Sequence, residues 1–538
     1  MKRVFILFLF VSIFFMLIEV MSSVKPVKEL HLPINFPTGI TFDGKNLWVT
    51  DWLQDEIYCI DTVRGNILKK ISSPGYWPTG LAFSGNYLWN ADVRGGIPLF
   101  EYYTGLIYKI DLQTNNIVKI IQSPNKSPFG LTFDGKYLWT VDNKKGEVYC
   151  LDPNDGTIIK NFNLTLPAPT GITYDGKYLW ITDRINDEIY MVDIQNEAII
   201  NIIKAPGPHP SSICFDGKFF WVSDLETKKV YKLDLLNLPK FFTSNPQNVK
   251  ITYYYTLHNF GPNKLKNFNV YYAYPDNRVN QKIKKINFEP EDVQIIKDNW
   301  GQKIVKYTIK DLEPNKNKIF KMTVEAEISE LNYFIHPDRV GDLKNIHDSL
   351  KIYLKDDEKF VLSSEIIQKV IKEVVGSEKN PYWIARKLYQ YVIDKIEYEM
   401  AGGWDIAPVI LSRGSGSCSE YSFAFIALCR AAGIPARYVG SIVKRKDNVA
   451  LDNVYHRWVE IFLPNYGWIP VDANAGDSKS KVIQAKAFGS LPPIYLITTQ
   501  SGGGSNYLEW SYNSNESLII EPKTFVAFEH FAIWETLK

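Results

Sequence analysis

The sequence predicts a multi-domain, mainly β fold: a five-bladed β-propeller, then a β-sandwich, then an α+β core that carries chemistry. Three observations lead there. Internal repeats occupy residues 27–236, period-two alternation takes over across 246–355, and helical spacing followed by an ordered Cys, His, Asp series marks 360–538. At 538 residues the chain is too long for one core. Aromatics at 14% (32 Tyr, 30 Phe, 14 Trp) favour strands. A formal charge of +2 leaves no electrostatic case for a nucleic-acid partner.

Lys2 and Arg3 precede an apolar run over residues 4–18, with Ser22 and Ser23 beyond it. A charged start, a hydrophobic stretch and small residues read as a signal peptide or an N-terminal membrane anchor at 1–23. The chain is therefore expected to be extracytoplasmic, either secreted or held at the outer face of the cytoplasmic membrane. Five cysteines leave at least one thiol free. Cys59 and Cys150 occupy the same position of different repeats, too far apart to pair, and read as small buried hydrophobes.

Each repeat opens on a proline: Pro37, Pro78, Pro128, Pro169 and Pro210, spaced by 41, 50, 41 and 41 residues. An Asp-Gly turn follows at 43, 134, 175 and 216, replaced by Ser84-Gly85 in the second copy. Then come Trp48, Trp89, Trp139, Trp180 and Trp221, each with Asp three residues on, and a closing Tyr. Short β-rich runs separated by turns, at a period near 40, describe four-stranded blades that must stack in a ring to bury both faces. An apolar residue stands seven positions before each proline (Leu30, Ile71, Ile121, Phe162, Ile203), and the fifth copy stops at Asp234 without its last strand. Residues 28–32 are expected to supply that strand and close the ring. The nine extra residues of the second copy form a longer loop near 95–102.

The motif Pro-Thr-Gly-Ile-Thr-Phe-Asp-Gly-Lys-Asn-Leu-Trp at 37–48 resembles the streptogramin-lyase and NHL group of propellers. Lyase chemistry in that group implies histidine and a metal. Here His31 and His209 lie in different copies without ligand spacing, so no metal or cofactor is expected. The repeated Trp, Tyr and Asp read as blade packing and turn capping, and the propeller as a binding module whose ligand is unassigned.

Across 246–355 the alternation of Val249, Ile251, Tyr253, Tyr255 and Leu257, and later of Phe320, Met322, Val324, Ala326 and Ile328, describes half-buried antiparallel strands of a β-sandwich. From Ser364 the spacing turns helical, a second helix begins near Pro381, and a third follows Gly414-Ser415-Gly416-Ser417-Cys418. A Gly/Ser turn feeding a helix sets Cys418 where unpaired backbone N–H groups and the helix dipole favour a thiolate. Cys429, on the apolar face of the same helix, reads as core. His456 opens a strand at 456–462 and Asp472 ends the next at 468–472, so antiparallel pairing brings them together. An Asp beside a His fixes the imidazole tautomer, and the His can then take the thiol proton. Gly502–Gly504 reads as a mobile turn flanked by strands at 507–512 and 518–521.

Gly-Ser-Cys-Ser-Glu-Tyr at 416–421, Arg-Ala-Ala-Gly-Ile-Pro-Ala-Arg-Tyr-Val at 430–439, His-Arg-Trp-Val-Glu-Ile at 456–461 and Gly-Trp-Ile-Pro-Val-Asp at 467–472 resemble the transglutaminase-like superfamily. That resemblance implies a papain-like α+β core with Cys418, His456 and Asp472 as its catalytic triad, acting by acyl transfer on peptide or protein amides. The substrate expected is a peptide or protein, a cell-envelope component among the candidates. Arg457 departs from the pattern, where a small residue is usual, and so do Ala473-Asn474, where Pro-Thr is common. Trp404 is a candidate second oxyanion donor. The alternative expectation is a non-catalytic surface binding or adhesion protein in which the propeller is the working part.

Overall fold

The computed structural model describes residues 24–93, 105–400, 404–446 and 449–537. The expected signal segment 1–23 and the longer loop of the second repeat lie outside the described residues. Among the described residues, no helix is long and apolar enough to cross a membrane. The chain is mainly β, built from many antiparallel sheets, with its helices gathered between residues 365 and 486.

The repeats form five four-stranded antiparallel sheets. Lys28–His31 pairs with Lys229–Leu233 in the fifth, as the phase of the repeat requires. The first strand of each sheet lies against the first strand of the next, and Pro210–Phe215 of the fifth returns to Pro37–Phe42. Glycine makes this approach feasible. A Cβ on Gly80 would stand 2.5 Å from the Gly130 carbonyl carbon, and one on Gly171 2.5 Å from the Ser212 backbone. The repeated polar residues are structural. Asp43, Asp134, Asp175 and Asp216 each accept two backbone N–H groups of their own turn and, at 2.7–2.8 Å, the indole N–H of the tryptophan five residues on. Ser84 Oγ takes that indole N–H in the second copy.

Two antiparallel sheets follow. One runs Gln281–Glu289, Lys316–Tyr333, Phe241–Gly261, Phe525–Thr536, Val449–Asp452; the other Gln294–Lys297, Lys303–Leu312, Leu265–Ala273, Ser514–Ser517. Tyr253, Tyr255, Tyr272, Tyr307 and Phe320 pack between them. The alternation read in 246–355 thus places its inward residues correctly. The last strands of the chain, however, complete these sheets and not the one bearing His456. Residues 507–512 and 518–521 are turns and coil; the strand lies between them at Ser514–Ser517. Gly502 and Gly503 are buried, against the mobile turn that composition suggested. A Cβ there would overlap Trp300 and Asp357, so glycine is needed for close packing.

The remaining sheet is Gly467–Val471, His456–Leu463, Ala436–Val443, Tyr495–Ser501, and the helix Cys418–Ala431 packs on its two central strands. Helices Pro381–Lys395 and Ala407–Arg413 flank that helix.

Candidate active site

The helix bearing Cys418 starts abruptly for a local reason. Gly414 takes φ +80° and ends the preceding helix. Glu420, fully buried, turns back to accept the Ser417 N–H at 2.8 Å and is held by Arg413 at 2.7 Å. Gly416 leaves the room, since its Cβ would stand 2.6 Å from that of Glu420. Cys418 is consequently the first helical residue, half-buried, in the turn whose backbone N–H groups have no partner within the helix.

His456 opens its strand under a second set of constraints. Tyr455 sits at φ +60°, a conformation costly for a bulky side chain. Asp452 holds it there: its Oδ1 accepts the Tyr455 N–H at 3.1 Å, its Oδ2 the Val443 N–H at 2.8 Å, and Arg445 clamps Oδ1 at 2.6 Å. The imidazole then packs beside Trp458 and Tyr495, with ring centres 5.9 and 5.7 Å away, and those two rings are 4.9 Å from each other.

Strand register delivers Asp472. Val459 pairs with Val471. One further step sets Asp472 opposite Trp458, so His456, two residues back on the same face, is its diagonal neighbour. His456 Nε2 and Asp472 Oδ2 are 2.6 Å apart, and Asp472 is buried. With Nε2 so engaged, Nδ1 is the ring nitrogen left for Cys418, and the imidazole and the Arg457 backbone N–H both favour the thiolate there. The three residues expected from sequence are therefore brought together.

The electrostatics follow. Burial alone pushes the Cys418 thiol up, but the imidazole, the Arg457 N–H and the Arg457 charge bring it below its ordinary value. Burial likewise disfavours the imidazolium, yet the Asp472 carboxylate and the thiolate raise His456 to about 10. An imidazolium–thiolate pair is the resting state this favours. Cys429 is the contrast: fully buried on the same helix, its thiol is pushed well up by desolvation.

Trp404, the candidate oxyanion donor, lies beside the residue that follows His456. Its ring lies over the Arg457 guanidinium at 5.2 Å, and its carbonyl accepts from Lys359 Nζ at 2.5 Å. Sequence reasoning missed the clamp at Glu460, which is buried and held by Arg437 at 2.7 Å and by Arg278 from the turn before the strand Gln281–Glu289. The signal was present: a Glu at an inward position of an otherwise apolar strand demands a buried cation. Among the described residues, no group of three or more His, Cys, Asp or Glu is placed to hold a metal.

Residues 368–473 match the family model of the transglutaminase-like superfamily. This segment is a transglutaminase-like domain. An uncharacterized protein of Haemophilus influenzae is 26% identical over 255 residues, covering 41% of this chain and 66% of its own length. The chain thus spans just under two thirds of that relative. Among solved structures, a candidate cysteine protease from Cytophaga hutchinsonii is 14% identical with a TM-score of 0.38, over 55% of this chain and 100% of that one. Virginiamycin B lyase from Staphylococcus aureus is 24% identical with a TM-score of 0.27, over 38% of this chain and 67% of that one. The transglutaminase-like domain contains the Cys418 helix and the whole run to Asp472, so the match and the site coincide.

Proposed function

We propose that this chain is an exported cysteine-dependent acyl-transfer enzyme, a hydrolase or acyltransferase acting on peptide or protein amides. One observation carries the reading: an imidazole 2.6 Å from Asp472 whose charge lowers the Cys418 thiol at the start of its helix. In this mechanism the Cys418 thiolate attacks the amide carbonyl, and the helix's first-turn N–H groups face the oxyanion. His456, protonated at Nδ1, gives its proton to the leaving amine, and a thioester remains. Water or a second amine, deprotonated by His456, then releases the acyl group. Asp472 holds the ring and stabilises its charge.

The five sheets read as a five-bladed propeller acting as a binding module, supported by their cyclic contacts and the strand borrowed from residues 28–31. The charged and apolar opening of the sequence supports export. Profiling purified protein on mixed peptide and isopeptide substrates tests the function. Turnover lost in Cys418→Ala is expected; equal turnover by that variant would rule the reading out. Rapid labelling of Cys418 by a thiol-directed electrophile, slowed in His456→Ala, is the companion result.

A further inference from the structure

Arg457 follows His456 directly and is fully buried. Its guanidinium sits among four aromatic rings, at 5.2 Å from Trp404, 5.0 Å from Phe423, 4.5 Å from Tyr438 and 4.4 Å from Tyr512. Nη2 donates to the Trp510 carbonyl, while Nε and Nη1 are buried with no hydrogen-bond partner among the described residues. Arg430, the domain's other buried arginine among the described residues, and the half-buried Arg437 are both well provided with acceptors. Arg430 donates to the carbonyls of Ala436, Lys355 and Gly502, and Arg437 pairs with Glu460. The four rings offset part of the cost of burying Arg457, but an unpaired interior cation remains expensive. Such exceptions concentrate where function requires them.

The charge has one evident counterpart. The ionisable groups that feel the guanidinium are Tyr438, Tyr512 and Cys418. Burial holds both tyrosines neutral, which leaves the thiol as the group able to ionise. The backbone N–H of the same residue also favours the thiolate. Facing Cys418 from the other elements are His456 with Asp472 behind it, Tyr495, and the start of its own helix.

We propose that Arg457 is a positioning residue whose fixed charge holds Cys418 as a thiolate independently of the proton on His456. The proposal rests on the reading of Cys418 as nucleophile. Burial pushes the guanidinium below its ordinary value, but arginine starts so far above neutrality that it keeps its proton at neutral pH, so part of the thiolate's stabilisation does not vary when His456 cycles. During acyl transfer the sulfur loses its charge on forming the thioester and regains it on release. A permanent cation favours the second event, the departure of the thiolate.

The test is the pH dependence of Cys418 alkylation by iodoacetamide, read on the Cys418 peptide by mass spectrometry, in the full chain. Arg457→Met should move the acid limb up by on the order of one to two pH units, which slows alkylation at least about tenfold below it. His456→Ala should shift the limb by its own amount, with the double variant shifted further than either. Thermal melts of Arg457→Met and Arg457→Gln should match or exceed wild type, because the buried charge is a cost to folding. An acid limb that does not move in Arg457→Met, or loss of folding in both variants, overturns the proposal and makes Arg457 structural. Wild-type Cys418 reacting no faster than an ordinary thiol and indifferent to His456→Ala is a different result, and it defeats the nucleophile reading itself.

Discussion

Asp472 decides how His456 holds its proton. A carboxylate 2.6 Å from Nε2 fixes the tautomer and raises the ring to about 10. Turnover should therefore run on a plateau that ends on the alkaline side near 10, where the imidazolium that serves the leaving amine is lost. Asp472→Asn removes the carboxylate charge, so that limb should fall towards the ordinary imidazole value near 6.5. At neutral pH kcat should drop by on the order of 10²–10⁴ with KM little changed. A pH-rate profile of the variant checks both effects, and an alkaline limb that stays in place would show that Asp472 does not set the proton. These three residues were legible because each stands at a position that local rules mark: a helix start, a strand start and a strand end. Arg457 was visible only as a departure from a pattern. Its burial draws on Phe423 and Tyr438 and also on Trp404 and Tyr512, each more than 50 residues away along the chain, which no local rule reports.

Among elements, the strand His456–Leu463 does two jobs: it presents His456 at one end and ties the domain to the preceding sheets through Glu460. Burial works against the Glu460 carboxylate, but Arg278 and Arg437 hold it below its ordinary value. A depressed carboxylate contributes stability that is present above about 4.5 and lost as pH falls through the lowered value. Glu460→Gln should accordingly cost about 3–5 kcal/mol at neutral pH, because two guanidinium groups lose their counter-charge. The difference from wild type should shrink below pH 4.5. Denaturant melts at pH 7 and pH 4 measure it; equal losses at both would show that the ion pair is not the cause. Strand periodicity identified this element and its neighbours without difficulty. It could not assign Phe525–Thr536 to a sheet, since pairing with Phe241–Gly261 spans more than 260 residues and leaves no trace in local spacing. The glycines at 502–504 misled for a related reason. Composition reports conformational freedom, whereas Trp300 and Asp357 arrive from elsewhere in the chain to use the missing side chains.

For the whole molecule, the question is how the repeat sheets communicate with the catalytic part. The outer strands Ile67–Ser72, Ile117–Gln122 and Ile158–Asn163 are largely exposed, but Ala198–Lys204 of the fourth sheet is buried. One repeat position records the difference. Lys69, Lys119 and Lys160 each reach a turn carbonyl of the next sheet. The equivalent residue of the fourth sheet is Asn201, whose amide instead exchanges two 2.8 Å hydrogen bonds with the Ile335 backbone. Helix Lys481–Lys486 docks alongside, Lys486 meets Glu188 at 2.7 Å, and a continuous apolar core runs from Trp180 and Phe220 to Tyr382 and Phe488. A cavity of about 600 Å³ opens at this junction, lined by Glu188, Lys204, Phe242, Asp472, Lys486 and Tyr495, so the fourth sheet borders the space behind the triad. The junction is thus built as a domain interior, and both parts should unfold together. Asn201→Lys restores the residue of the other repeats, leaves the Ile335 N–H and carbonyl buried without partners, and should cost about 2–5 kcal/mol. Scanning calorimetry should show one transition for wild type and a lowered, divided transition for this variant, while Lys119→Asn, the reverse exchange on an exposed strand, changes little. Coincident traces for Asn201→Lys and wild type would mean that the sheets and the catalytic part fold independently. In that case the cavity at Asp472 would owe nothing to the repeats.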